Sequence, residues 1–287
     1  MSELTYISTE QGLDYEHPAW KLFEKSKKLG VWNPSDIDLK QDRQDWLQLT
    51  EDEKDVLLRL TSLFTAGEES VVQELMPLMW VISKERRLEE EMFLSAFLFE
   101  EAKHVETFRR FIDEIACFEG SLSGYHTQQY REVFYDALPQ AMGALMQDRS
   151  PAAQAKASAT YNMIVEGVLA ETGYHAYHTI LSKRGIMPGM VKLVELVKRD
   201  ESRHLAYGLF LLSRLLQEHG RPVWDVIEER MSELLGPAIG VIEEVFGFYD
   251  PMPFELTPDL FIDFAMSQFQ SRMDRLESCF AGERNSA

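Results

Sequence analysis

Apolar residues recur at three- and four-residue spacing along most of this chain, the period that lines one face of a helix. Thr50 followed by Glu53 in TEDEKDVLLRLTSLF forms a capping box, and the helix it opens is predicted to continue through AGEESVVQELMPLMWVIS, with Pro77 either bending it or absorbed locally. A second helix is predicted over about 84–118, ending near Gly120, and a third over about 127–147, stopping before Ser150-Pro151. The fourth, about 152–182, closes at Lys183-Arg184-Gly185, a basic last turn followed by a glycine stop. The fifth starts after Pro188 and reaches Glu218, with Gly220 and Pro222 as its end signals, and two more fit 223–246 and 258–281. Strand-like alternation is weak and no solenoid period stands out. The pattern is all-α, with helices long enough for a bundle.

The polar residues that interrupt this pattern carry the chemistry. Glu101-x-x-His104 and Glu201-x-x-His204 each place a carboxylate and an imidazole on one helix face. A lone copy of that spacing on a charged helix is ordinarily a solvated face. Two copies on separate helices suggest a site built twice, because a dinuclear carboxylate centre takes two such pairs and one further Glu from each of two other helices. The first further Glu is Glu68 or Glu69 in TAGEESV, and the second Glu166 or Glu171 in NMIVEGVLAETGY, all set in apolar surroundings where an unpaired carboxylate is costly. Carboxylate and imidazole suit Fe and Mn, and the lack of thiolate argues against a structural zinc or iron–sulfur site. His175 and His178 are also three apart but lie among aromatics without a carboxylate between them, so they read as supporting or surface residues. The Met and aromatic richness of MPLMW and FLSAFLF is core packing by its simplest reading, though a cavity for an apolar ligand uses the same residues.

Composition narrows the partners. The chain has 287 residues, 45% of them hydrophobic, enough for a sizeable core, and no Pro/Gly/Ser-rich linker divides it. One domain over 1–287 is expected, with a core bundle at about 50–220 and the helices of 221–287 belonging to it. A net charge of −19 argues against nucleic acid and anionic membranes. No apolar run approaches membrane-spanning length and the start is polar and acidic, unlike a signal peptide. Cys117 and Cys279 form no disulfide framework, which suits a reducing cytoplasm.

With these residues the chain resembles the ferritin-like superfamily and, within it, the small subunit of ribonucleotide reductase, over about residues 20–220. VWNPSDIDLKQDRQDW looks like the family segment whose tryptophan is linked to the metal site, here Trp32, and Asp200 matches the aspartate that hydrogen-bonds a metal-bound histidine. Two features depart from the radical-storing branch: Phe108 stands four residues after His104 where those subunits have tyrosine, and the tail SCFAGERNSA has no tyrosine for docking a large subunit. A glutamate as first ligand favours a Mn/Fe centre over di-iron.

The chain is more similar still to the ligand-binding oxidases of this family, which share a Val three residues after the first Glu and a Tyr five residues before the second. Here those are Glu68 with Val71 and Tyr161 with Glu166, which selects Glu68 and Glu166 from the pairs above. The resemblance implies a ferritin-like bundle with additional helices, whose four-helix core holds one Mn and one Fe through Glu68, Glu101, His104, Glu166, Glu201 and His204. It also implies O2 activation, an ether crosslink between Val71 and Tyr161, a long-chain fatty acid in an apolar channel, and a homodimer; the electron donor stays unidentified. The alternatives are a manganese/iron small subunit of ribonucleotide reductase and a non-catalytic metal-binding or iron-storage bundle.

Overall fold

Several of the long helices begin where a side chain satisfies their free N–H groups. The structure is a computed structural model that describes residues 5–284, with side chains to residue 280; residues 1–4 of the polar start and 285–287 of the tyrosine-free tail lie outside the described residues. Three short helices come first, α1 (Ile7–Glu10), α2 (Pro18–Leu29) and α3 (Lys40–Gln48). α3 does not stand out in the apolar pattern because it is short and mostly polar, and α2, though amphipathic, spans only 12 residues. Thr50 and Glu53 form the reciprocal capping box that opens α4 (Glu51–Lys84), and Pro77 is absorbed inside that helix.

α5 (Leu88–Arg110) returns along α4 and runs on as a π-helical stretch, Phe111–Ala116, closed by Cys117 in the left-handed region. α6 spans 128–144, with a π-helical middle, Glu132–Ala137. α7 spans 151–182, capped by Ser150, and widens into π-helix over Ala159–Ala170 and His178–Ser182. α8 (Pro188–His219) starts on a proline after Met187 and ends at Gly220, whose φ of 62° is a left-handed turn that glycine adopts freely. Its first turn is held by α3, since Asp42 accepts from the backbone N–H groups of Gly189 and Met190 at 3.0 and 2.5 Å. α9 (Arg221–Phe246) and α10 (Pro258–Arg284) complete the chain. Among the described residues there is no strand, and no helix is long and apolar enough to cross a membrane.

α4, α5, α7 and α8 form the central bundle, and their buried apolar residues fall into two clusters along its length. One contains Val71, Phe97, Tyr161 and Tyr207; the other contains Phe64, Phe108, Tyr174 and Val197. The polar positions of the Glu-x-x-His helices lie between members of the two, so a polar layer crosses the bundle between two apolar plugs. α8 approaches α7 closely there: a methyl group on Gly208 would fall on the side chain of Asn162, whose amide donates to Glu166. Gly208→Ala should therefore destabilise the fold by about 1–3 kcal/mol through overpacking, despite the better helix propensity of alanine, as measured by denaturant unfolding.

Candidate metal centre

Four helices aim six ionisable side chains into the layer between the plugs. α4 supplies Glu68, α5 Glu101 and His104, α7 Glu166, and α8 Glu201 and His204, all of them buried. Their ligand atoms form two overlapping groups, Glu68, Glu101, His104 and Glu201 in one and Glu101, Glu166, Glu201 and His204 in the other, with the atoms of each within 4.8 Å of one another. Glu101 and Glu201 belong to both, so each is positioned to bridge two cations. Nδ1 of His104 lies 3.2 Å from Glu201 and 3.7 Å from Glu68, and Nδ1 of His204 lies 2.7 Å from Glu101 and 3.3 Å from Glu201. The neighbouring candidates are elsewhere: Glu69 faces solvent, and Glu171 pairs with Lys198 at 3.3 Å. His175 stacks on Phe264 and His178 is exposed, so neither joins the cluster.

A shell of carboxylates faces the imidazoles crosswise between the helices. Asp200, on the helix of His204, lies 3.5 Å from Nε2 of His104, and Glu100, on the helix of His104, lies 2.9 Å from Nε2 of His204. Asp200 is fixed by the Trp32 indole N–H at 2.7 Å, Lys103 at 3.0 Å and Arg203 at 2.6 Å, while Arg203 donates at 2.6 Å to Glu100 as well. Lys103 stands 4.1 Å over the Trp32 ring, a cation–π contact. The family resemblance pointed to Asp200 and Trp32 but missed Glu100, although Glu100 precedes Glu101 just as Asp200 precedes Glu201. It also missed Tyr174, whose hydroxyl donates at 3.2 Å to Glu201 and 3.4 Å to Glu68. Asn162 donates to Glu166 at 3.0 Å.

The electrostatics follow from burying so much charge. Burial pushes Glu68 up to about 8 and raises Glu166 well above the usual carboxylate range, with Glu201 adding to the rise at Glu166. Burial would also raise Glu101, but the imidazoles of His204 and His104 outweigh it and hold it below its ordinary value. The same pairing acts in reverse on the histidines: burial lowers them, and the carboxylates around them, Glu101 for His104 and Glu201 for His204 foremost, raise both well above the ordinary imidazole value. Among these side chains both oxygens of Glu101, both nitrogens of His104 and Oε1 of Glu166 are buried without a hydrogen-bond partner. Such an arrangement of oxygen and nitrogen donors without thiolate fits a pair of cations of the Mn or Fe type.

An apolar cavity of about 140 Å³ ends on this layer. Glu68, Glu101, Glu166 and Glu201 lie at its polar end, and Val71, Phe64, Leu169 and Phe261 are among its apolar walls. The Tyr161 hydroxyl is 3.5 Å from the carbonyl oxygen of Val71, and both side chains are buried.

Comparison with known proteins agrees with this geometry. Residues 13–264 match the family described as ribonucleotide reductase, small chain. The chain belongs to the ribonucleotide reductase small-chain family. Within it, the chain is similar to solved structures of an R2-like ligand-binding oxidase with Mn/Fe cofactor. A tyrosine-to-phenylalanine variant with aerobically reconstituted cofactor is 35% identical, with a TM-score of 0.90 and coverage of 95% of this chain and 98% of that one. A glycine-to-leucine variant with anaerobically reconstituted cofactor is 35% identical, with a TM-score of 0.91 and coverage of 96% and 98%. A valine-to-isoleucine variant, aerobically reconstituted, is 35% identical, with a TM-score of 0.92 and coverage of 95% and 99%. The small-chain family places this protein among oxidoreductases, and its buried carboxylate–histidine cluster could hold a dinuclear metal site. Phe108 stacks on Phe64 with centroids 4.5 Å apart, so the turn after His104 carries a phenyl ring and no phenol.

The crossed outer bonds predict a crossed defect. Asp200→Ala should weaken metal binding about 10–100-fold at the position served by His104, and Glu100→Ala by a similar factor at the position served by His204, read by metal titration of each variant. The raised values of Glu68, Glu166 and both histidines mean that protons must leave when cations enter. Metal uptake should therefore release protons and weaken as the pH falls from 8 towards 6, which titration calorimetry in buffers of different ionisation enthalpy would measure.

Proposed function

We propose that this protein is a dinuclear Mn/Fe carboxylate oxidase that uses O2 for the two-electron oxidation of an apolar C–H bond. The observation that carries the reading is the cavity: an apolar chamber lined also by four carboxylates, with Val71 on its wall and the Tyr161 hydroxyl beside Val71. Glu68, Glu101, His104, Glu166, Glu201 and His204 are the proposed ligands. The metal pair, when bound, supplies O2 reduction and the oxidising power for the C–H bond.

The rest falls to the protein's own residues. Glu101 and Glu201, common to both groups, would supply negative charge to two dications that would otherwise repel. Asp200 and Glu100 fix which imidazole nitrogen faces inward. Val71 sits one turn from Glu68 on the same helix face, which holds its Cβ–H near the reacting centre, and the apolar walls exclude water from it. Tyr161 would supply the oxygen of the proposed ether bond: the Val71 Cβ–H and Tyr161 O–H bonds would break and a C–O bond form, releasing two protons and two electrons, with O2 as the electron acceptor. The chamber would take a long-chain fatty acid or similar apolar ligand, because its walls offer area without directional hydrogen bonds. A homodimer and an unidentified electron donor complete the expected assembly.

A manganese/iron small subunit of ribonucleotide reductase is the second reading, favoured by the family match over residues 13–264. The test is aerobic reconstitution of the metal-free protein with Mn(II) and Fe(II), then metal counting and peptide mass spectrometry. One Mn and one Fe per chain, with the Val71 and Tyr161 peptides joined and two hydrogens lost, is the expected result. Two metals without a joined peptide would favour the second reading.

A further inference from the structure

Beyond the ligand layer, Tyr207 is a buried phenol that the oxidase reading leaves unused. It lies three residues after His204 on α8, so the two side chains share a helix face one turn apart. On the facing helix α5, rings fill the space beside them. Phe97 stacks on the His204 ring with centroids 3.6 Å apart, Phe93 is 5.9 Å from Phe97, and Tyr207 is 5.2 Å from Phe93. Every one of these rings is fully buried.

The Tyr207 hydroxyl donates at 3.0 Å to Oε2 of Glu90, a carboxylate with no exposure to solvent. The other oxygen of Glu90 faces Arg214 at 3.4 Å and Arg87 at 3.9 Å, which balance its charge. Packing alone does not call for this group: apolar side chains of similar volume commonly hold buried helices as well as a buried ion pair does, or better. Its arrangement does suit the removal of an electron from the phenol. A phenol that lost an electron and kept its proton would be a cation in an apolar core, which is costly. A carboxylate already hydrogen-bonded to that proton removes the obstacle, and burial, which raises the Glu90 pKa, strengthens it as an acceptor. The corresponding turn after His104 offers Thr107 and Phe108, neither of which can do this.

We propose that Tyr207 is an electron relay for the dinuclear centre, with Glu90 as its proton acceptor. The Tyr207 O–H bond breaks, its electron passes to the O2-oxidised metal pair, which is reduced by one electron, and its proton moves to Oε2 of Glu90. A neutral phenoxyl and a protonated carboxyl remain, and an external one-electron donor restores the pair. The relay rests on the metal-centre reading above and supplies single electrons that Val71 and Tyr161 do not.

The test uses Tyr161→Phe protein, in which no ether bond can consume oxidising equivalents. The metal-free protein is loaded with Mn(II) and Fe(II), exposed to O2 and frozen at intervals for electron paramagnetic resonance, with metals counted on the same sample. The expected result is a tyrosyl signal whose hyperfine pattern changes when 3-fluorotyrosine replaces Tyr207 alone, a change that keeps ring, hydroxyl and packing. The signal should be lost with Tyr207→Phe and with Glu90→Gln. Two bound metals that oxidise with no tyrosyl signal, or with a signal indifferent to the label at Tyr207, would overturn the relay. Fewer than two metals per chain would overturn the metal-centre reading itself, and the relay with it.

Discussion

Burying four carboxylates and two imidazoles in one apolar interior is the constraint on which the rest of this structure depends. An isolated charge there is prohibitively costly, and mutual pairing settles only part of the account, since Glu68 and Glu166 are raised while Glu101 is held low by the histidines. A pair of cations would satisfy all six groups together. The four-helix arrangement is the geometry that lets them converge, and the two apolar plugs above and below keep water from screening them.

The same constraint reaches outward. Asp200 and Glu100 are themselves buried carboxylates, and each is answered by Arg203, with Lys103 and Trp32 completing the set at Asp200. Because each outer carboxylate orients the imidazole of the opposite helix, α5 and α8 are tied together through the centre as well as by apolar contact. Ligand geometry and helix packing are therefore one problem here, and Gly208, which admits Asn162 and hence positions Glu166, shows how small a side chain can decide it.

Much of this was legible in the sequence because its signals are local. The capping box at Thr50, the stop at Gly220 and the two Glu-x-x-His pairs are read within a few residues, and the helices they predict are present. The choice of Glu68 over Glu69 and of Glu166 over Glu171 was open to residue reading alone, because each alternative fits an apolar face equally well until the neighbouring helices are in place. What stayed hidden is tertiary or departs from the 3.6-residue period. The π-helical run Ala159–Ala170 hydrogen-bonds five residues apart, which draws Tyr161 and Glu166 towards one side of α7 in a way that an α-helical count does not reproduce. Glu100 and Tyr174 show their roles only through partners on other helices.

The central claim is that six side chains hold two metals, with Glu101 and Glu201 common to both. Crystals of the Mn- and Fe-loaded protein, with anomalous diffraction collected at the two absorption edges, test it most directly. The account predicts two anomalous peaks about 3.5–4 Å apart, one among Glu68, Glu101, His104 and Glu201 and the other among Glu101, Glu166, Glu201 and His204. A single peak, or metal held by residues outside these two groups, would contradict it.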